Sequence, residues 1–268
     1  MPIREQNSNK GTFGKVLNFC GSANYIGAAY LATVSSLKVG AGLSALATEQ
    51  SVINSVSTML PEAIYLTKEQ GLEKISDFSV VLIGCGIGIN ETSKELLFNV
   101  LSKTPAKTPI IIDADGLNIL AESQTMPDFS QKGNTIIITP HPLEASRLLG
   151  VSLNYILSNL EDSAKALSAK YNCITVLKNH NTVICNKDLS THTNNHGNSA
   201  LAKAGAGDVL AGIIAGLLAQ KVEPYEASKL GVYLHSRTGE ILSEELTEYS
   251  VLASDLPKYL HKAIKEII

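Results

Sequence analysis

A chain of 268 residues with 44% hydrophobic content and a mean hydropathy of +0.11 can bury a large core, either as one big α/β domain or as two small ones. A net charge of −3 and a pI near 6.1, with no run of Lys or Arg, exclude a nucleic-acid surface. The mixed-charge start MPIREQNSNKGTFGK is unlike a signal or transit peptide, and the longest apolar stretch, 209–219, is too short to span a bilayer. The expectation is a cytoplasmic protein with no membrane partner. Cys20, Cys85, Cys173 and Cys185 show no metal spacing and read as reduced thiols, three of them in or beside strand-like runs.

Along the chain, short β-branched runs at 16–20, 43–47, 79–84, 109–113, 135–139 and 173–177 are nearly continuous in apolar residues, which suits a sheet covered on both faces. Helical patterns lie between several of them, at 26–39, 91–102, 143–149 and 160–171. This alternation predicts an α/β fold with a mostly parallel central sheet between two helical layers. Runs at 182–186 and 189–193 then read as a hairpin, and the last fifty residues read as helical, with Ser254-Asp255 and Pro257 opening the final helix. No linker or repeat divides the chain, so a single domain over 1–268 is expected.

The run Leu201-Ala202-Lys203-Ala204-Gly205-Ala206-Gly207-Asp208-Val209, ahead of an apolar helix to Gln220, offers main-chain N–H groups and a helix dipole to an anion with almost no side-chain bulk in the way. Asp208 stands at the same spot. It reads equally as an N-terminal cap and as a base taking a proton from a hydroxyl that attacks phosphorus. GTFGK at 11–15 lacks the spacing of a P-loop, and GCGIG at 84–88 lacks the third glycine of a dinucleotide fingerprint.

Ligands of open parallel sheets bind at the carboxyl ends of the strands, and the unusual residues gather there. These are Cys20-Gly21-Ser22, the 84–88 loop, Asp113-Ala114-Asp115, Thr139-Pro140-His141-Pro142 and Lys178-Asn179-His180. Asp113 suits a Mg²⁺ ligand, directly or through water, while Asp115 suits the cap of a helix beginning near Gly116. His141 is held between two prolines. Lys178 is an ordinary strand-end lysine, and His180, His192, His196, His235 and His261 show no ligand spacing. No base accompanies Cys20 or Cys85, which argues against cysteine nucleophiles.

Taken in order, GKVLNFCGSANYIGAAYLATVSSLKVGAGLSALAT, GCGIG, PIIIDADGLNIL, TIIITPHPLEASRLLG, LKNHNTVI and GNSALAKAGAGDVLAGIIAGLLAQ resemble the NAD(P)H-hydrate dehydratase family, a branch of the ribokinase-like fold. The likeness runs from Gly14 to about Leu260. It implies that a nucleotide, ADP or ATP with Mg²⁺, phosphorylates the hydroxyl of the S epimer of hydrated NADH or NADPH (NADHX or NADPHX), after which phosphate leaves and NAD(P)H is restored.

The resemblance further implies that Asp208 is the catalytic base. Substrate contacts fall at Ala41, Gly88, His141 and Asp208. Nucleotide contacts fall at Lys178, Asn179, His180, Asn181 and Thr182, and at Gly205, Ala206 and Gly207 through their backbone. Asn179 and Cys20 stand where glycine is usual, Cys85 where proline is usual, and Ala206 where Thr or Ser is. A homo-tetramer and a separate NAD(P)HX epimerase are expected as partners, because fewer than fifteen residues precede the match. A small-molecule kinase of the same fold would share the GAGD turn, but the TPHP-x-E and GAGLSALAT segments favour the dehydratase.

Overall fold

The computed structural model describes residues 1–123 and 133–268. The chain runs β1 (Lys15–Phe19), α1 (Ile26–Lys38), β2 (Leu43–Thr48), α2 (Gln50–Val56), β3 (Ile64–Thr67), α3 (Lys68–Glu73), β4 (Val80–Ile83), α4 (Glu91–Lys103), β5 (Ile110–Ile112), α5 (Asp115–Glu122) and β6 (Ile136–Ile138). It continues with α6 (Pro142–Leu149), α7 (Leu153–Ser158), α8 (Leu160–Tyr171), β7 (Ile174–Leu177), β8 (Thr182–Cys185), β9 (Thr191–Asn194), α9 (Ala206–Ala219), α10 (Pro224–Ser250) and α11 (Leu256–Lys265).

Among the described residues nine strands form one sheet in the order β3-β2-β1-β4-β5-β6-β7-β8-β9. Pairings from β3 through β7 are parallel, and β8 and β9 add antiparallel. The central strands Val80–Ile83, Ile110–Ile112 and Ile136–Ile138 are buried throughout, because helices cover both faces. Alternate residues feed two cores. Val16, Leu82, Ile111, Ile137 and Val176 pack with α1, α9, α10 and α11, and Leu17, Ile83, Ile112, Ile138 and Leu177 pack with α4 to α8.

The six expected parallel strands and the hairpin all form, with ends moved by a residue or two. Only β3 was unforeseen. It is four residues long at the sheet edge, leaves Ile64 exposed, and passes straight into α3, whose first turn Thr67 and Gln70 close as a reciprocal capping box.

Two features place the rim where ligands are expected. Strand order reverses between β1 and β4, so the loops after these strands, 20–22 and 84–88, face each other at the switch point. Helix α9 lies hard against α1: a Cβ on Gly212 would come 2.3 Å from the Ala32 carbonyl oxygen, and one on Gly216 would come 2.5 Å from that of Ser36. That close approach fixes the N-terminus of α9 over the switch point. Among the described residues no helix is long and apolar enough to cross a membrane.

Candidate active site

The turn into α9 depends on Gly205, whose φ of 92° disfavours any side chain and whose Cβ would meet Leu31 at 2.5 Å. The Ala206 N–H is already given to the Lys203 carbonyl at 3.2 Å. The free donors of the helix start are therefore Gly207 and Asp208, which narrows the expected 205–207 cradle. The capping alternative for Asp208 does not hold, since Gly205 occupies the cap position and Asp208 is the third helical residue.

The Asp208 carboxylate instead turns toward the strand ends. One of its oxygens, a carboxylate oxygen of Asp113 and the Cys85 Sγ all lie within 4.8 Å of one another. Burial, reinforced by the Asp113 charge, pushes the Asp208 pKa up to about 7, against a hydrogen bond from Cys85 and the Lys178 charge. Asp113 is itself buried. Its Oδ1 accepts a hydrogen bond from Lys178 Nζ at 2.8 Å, and its Oδ2 lies 3.8 Å from Cys85 Sγ. Lys178 is thus no snorkelling strand-end lysine: its ammonium is drawn inward by Asp113 and lies 4.0 Å from Glu144 Oε2. Burial works against the charged ammonium, but the two carboxylates raise its pKa.

His141 caps α6. Its Nδ1 accepts from the N–H groups of Leu143 and Glu144 at 3.2 Å each, and the Glu144 carboxylate accepts from the His141 N–H at 2.8 Å. The ring is 46% exposed on the rim, with its Nε2 3.2 Å from Glu144 Oε1. Burial and the Lys178 charge lower its pKa. Burial raises that of Glu144. Sequence reasoning passed over Glu144, although the spacing His141-x-x-Glu144 is that of a capping box with histidine in place of serine.

Asp115 does not cap α5 as expected. Ala114, at φ 49°, holds the cap position, and Asp115 Oδ2 accepts the Gly88 N–H at 2.8 Å. The cause is the closeness of the two turns: a Cβ on Gly84 would lie 2.0 Å from the Asp113 carbonyl oxygen, and the Asp115 N–H bonds to the Gly84 carbonyl. Gly88 is thereby held at the rim beside Asp115.

Beside this cluster a cavity of about 670 Å³ is lined by Lys178, Asn179, His180, Thr182, Ala206 and Gly207 on one side and by Leu201, Leu210, Val232, His235 and Ser236 on the other. Its size and its mix of apolar walls with a few polar groups suit a small molecule. Asn181 is exposed and outside the lining. Asn179 folds on itself, its Oδ1 accepting from the His180 N–H and its carbonyl from the Thr182 hydroxyl. His235 carries no signal in the sequence, yet it is buried in the wall, neutral with its pKa lowered to about 4 by burial, and its Nε2 has no partner. Nothing local in sequence could reveal it, because α10 brings it there from 27 residues beyond Asp208. Ala41 is not brought to the site. Its neighbour Gly40 meets Gln220 at the far end of α9, and a 14-residue helix spans about 20 Å.

The family profile described as NAD(P)H-hydrate dehydratase matches residues 16–262. The chain belongs to that family. It is 34% identical to the ADP-dependent (S)-NAD(P)H-hydrate dehydratase of Neisseria meningitidis, over 90% of this chain and 81% of the relative. The bifunctional NAD(P)H-hydrate repair enzyme of Thermofilum pendens is also 34% identical, and this chain spans 53% of its length. The crystal structure of the Bacillus subtilis ADP/ATP-dependent NAD(P)H-hydrate dehydratase, co-crystallised with ATP/Mg²⁺, superposes with a TM-score of 0.89 at 33% identity, covering 99% of this chain and 94% of that one. A hydroxyethylthiazole kinase of Pyrococcus horikoshii shares the fold, with a TM-score of 0.67 at 14% identity.

Proposed function

We propose that this chain dehydrates the S epimer of hydrated NADH or NADPH, using ADP or ATP as phosphoryl donor, with ADP expected. The observation that carries the reading is the meeting of the Asp208 carboxylate, poised near pH 7, with the free N–H groups at the start of α9. The hydroxyl oxygen of the hydrate attacks the terminal phosphorus, its proton passes to Asp208, and the bond to the departing nucleotide breaks to give AMP or ADP. The Gly207 and Asp208 N–H groups, with the dipole of α9, take up charge on the transferred group. The C–O bond of the phosphorylated hydrate then breaks as the ring nitrogen supplies its electron pair, and loss of a proton from the adjacent carbon restores the reduced ring.

Lys178, His180, Thr182 and Ala206 hold the nucleotide in the cavity, and Gly88 and His141 contact the hydrate at the rim. Asp113 Oδ2 is a hard oxygen donor that fits Mg²⁺, directly or through water, and the ion when bound would neutralise phosphate charge. Self-association, expected as a tetramer, is supported by Leu143, Val151, Leu153, Tyr155 and Leu157, large apolar residues exposed along α6, α7 and the turn between them. An epimerase would supply the S form, and the four free thiols fit a cytoplasmic setting.

The test is incubation of the protein with NADHX and ADP or ATP. Reduced-nicotinamide absorbance and inorganic phosphate are expected to appear in equal amounts. A stable phosphorylated small molecule with no recovered NADH would make the protein a kinase instead.

A further inference from the structure

A buried thiol beside the base takes no part in that reaction. Cys85 follows β4, one of the two neighbouring strands of the switch point. Cys85 Sγ reaches Asp113 Oδ2 at 3.8 Å, and it lies with Asp113 and Asp208 oxygens inside a 4.8 Å circle. A tetrahedral zinc ion with one sulfur and one oxygen ligand separates those two atoms by about 3.6 Å, from bond lengths of about 2.3 and 2.1 Å. The thiol–carboxylate edge is therefore already at ligand spacing, and the other carboxylate needs only a small closure.

A separate observation marks the same place as short of a polar partner. Thr139 is 1% exposed, and its Oγ1 bonds to nothing. Its N–H continues the ladder to the Ile112 carbonyl, so strand alternation puts its side chain on the α9 side of the sheet, next to Asp113. An unsatisfied buried hydroxyl beside Asp113 is accounted for by a ligand held at that carboxylate.

We propose that Cys85, Asp113 and Asp208 form a three-ligand binding site for a thiophilic divalent cation of the Zn²⁺ class, with the fourth position left to water. Sulfur is what separates this site from the magnesium of the nucleotide, since Mg²⁺ takes oxygen ligands and disregards thiols. The cation enters from the cavity at Gly207, whose Cβ position lies 3.9 Å from Asp113 Oδ2. Binding releases the Cys85 thiol proton to solvent. Where Asp208 is the base, as proposed above, a bound cation takes it out of use and turnover stops; the binding itself stands independently of that role.

The test uses the full-length reduced protein without nucleotide. Co²⁺ titration is expected to give sulfur-to-metal charge-transfer absorption and tetrahedral d–d bands that saturate at one equivalent and are displaced by Zn²⁺. Cys85→Ser weakens Zn²⁺ binding by at least about tenfold. Cys173→Ser, in a thiol remote from the cluster, does not. Absence of the charge-transfer band in the wild-type protein overturns the proposal even if the Cys85 variant fails to fold, as does a band that survives in Cys85→Ser. Stoichiometric binding with turnover unaffected would leave the metal site standing and overturn the base assignment of Asp208.

Discussion

Lys178 Nζ donates to Asp113 Oδ1 at 2.8 Å, across the end of the strand that separates theirs. Lys178 ends β7 and Asp113 ends β5, and the Lys178 N–H bonds to the Pro140 carbonyl just after β6. The pair fixes the charge that Asp208 feels: Asp113 raises its pKa and Lys178 lowers it. Taking either partner away therefore changes the base as well as the fold.

The pH profile of kcat/KM should show this. Asp208 accepts a proton only as the carboxylate, so activity rises with unit slope up to about pH 7 and levels above it. In Lys178→Met the lowering charge is lost, and the midpoint should move to higher pH. Nucleotide KM should rise as well. The same variant strands the buried Asp113 charge, at a stability cost of about 3–5 kcal/mol, visible as a lower Tm. An unmoved midpoint would separate Lys178 from the base electrostatically.

Asp208→Asn should keep nucleotide affinity and lose kcat by about 10²–10⁴. Its stability should move the other way. The folded pKa of Asp208, about 7, lies above its unfolded value near 3.8, so folding favours the protonated form. Stability contributed by that form is complete below about pH 4 and is lost as pH rises through 7, with an upper bound of about 4 kcal/mol. The asparagine amide does not ionise, so Tm of the variant should exceed wild type at pH 8 and match it near pH 4. Equal Tm differences at both pH values would show that Asp208 carries no such burden.

The parallel strands announced themselves because their burial on both faces demands continuous apolar runs, as in Ile110–Ile112 and Ile136–Ile138. The GAGD turn was equally plain, since only small residues admit an anion to a helix start. What stayed hidden depended on partners far off in the chain. Lys178 is an ordinary lysine until β7 brings it to Asp113, 65 residues earlier. Asp115 looked like a cap because local spacing cannot show that Gly88 lies within reach. His235 acquires its place only through the packing of α10 on α9. The edge strand β3 was missed because a half-exposed four-residue strand carries neither alternation nor a long apolar run.

Asp115→Ala removes the acceptor that ties down Gly88. If the 84–88 loop contacts the hydrate, KM for NADHX should rise several-fold while KM for the nucleotide stays near wild type. The Asp115 charge also raises the Asp208 pKa, so the midpoint of the kcat/KM profile should fall, opposite to Lys178→Met. Steady-state kinetics over pH 5–9 with each substrate varied in turn checks both shifts.

Gly207→Ala separates the anion turn from general stability. Gly207 is the second residue of α9 and its φ is not in the left-handed region, so alanine fits the backbone. Its Cβ would come 3.3 Å from Lys178 Nζ, the flexible tip of a long side chain that can yield by a few tenths of an ångström. Replacing a helical glycine stabilises by up to about 1 kcal/mol, so Tm should hold or rise slightly. The methyl group nevertheless stands at the mouth of the cavity, where a phosphate must close on the Gly207 and Asp208 N–H groups. Nucleotide KM should therefore increase by about tenfold or more, and the thermal shift produced by ADP should shrink accordingly, since stabilisation by a ligand follows its affinity. An unchanged nucleotide KM in a well-folded Gly207→Ala protein would move the phosphates away from the start of α9.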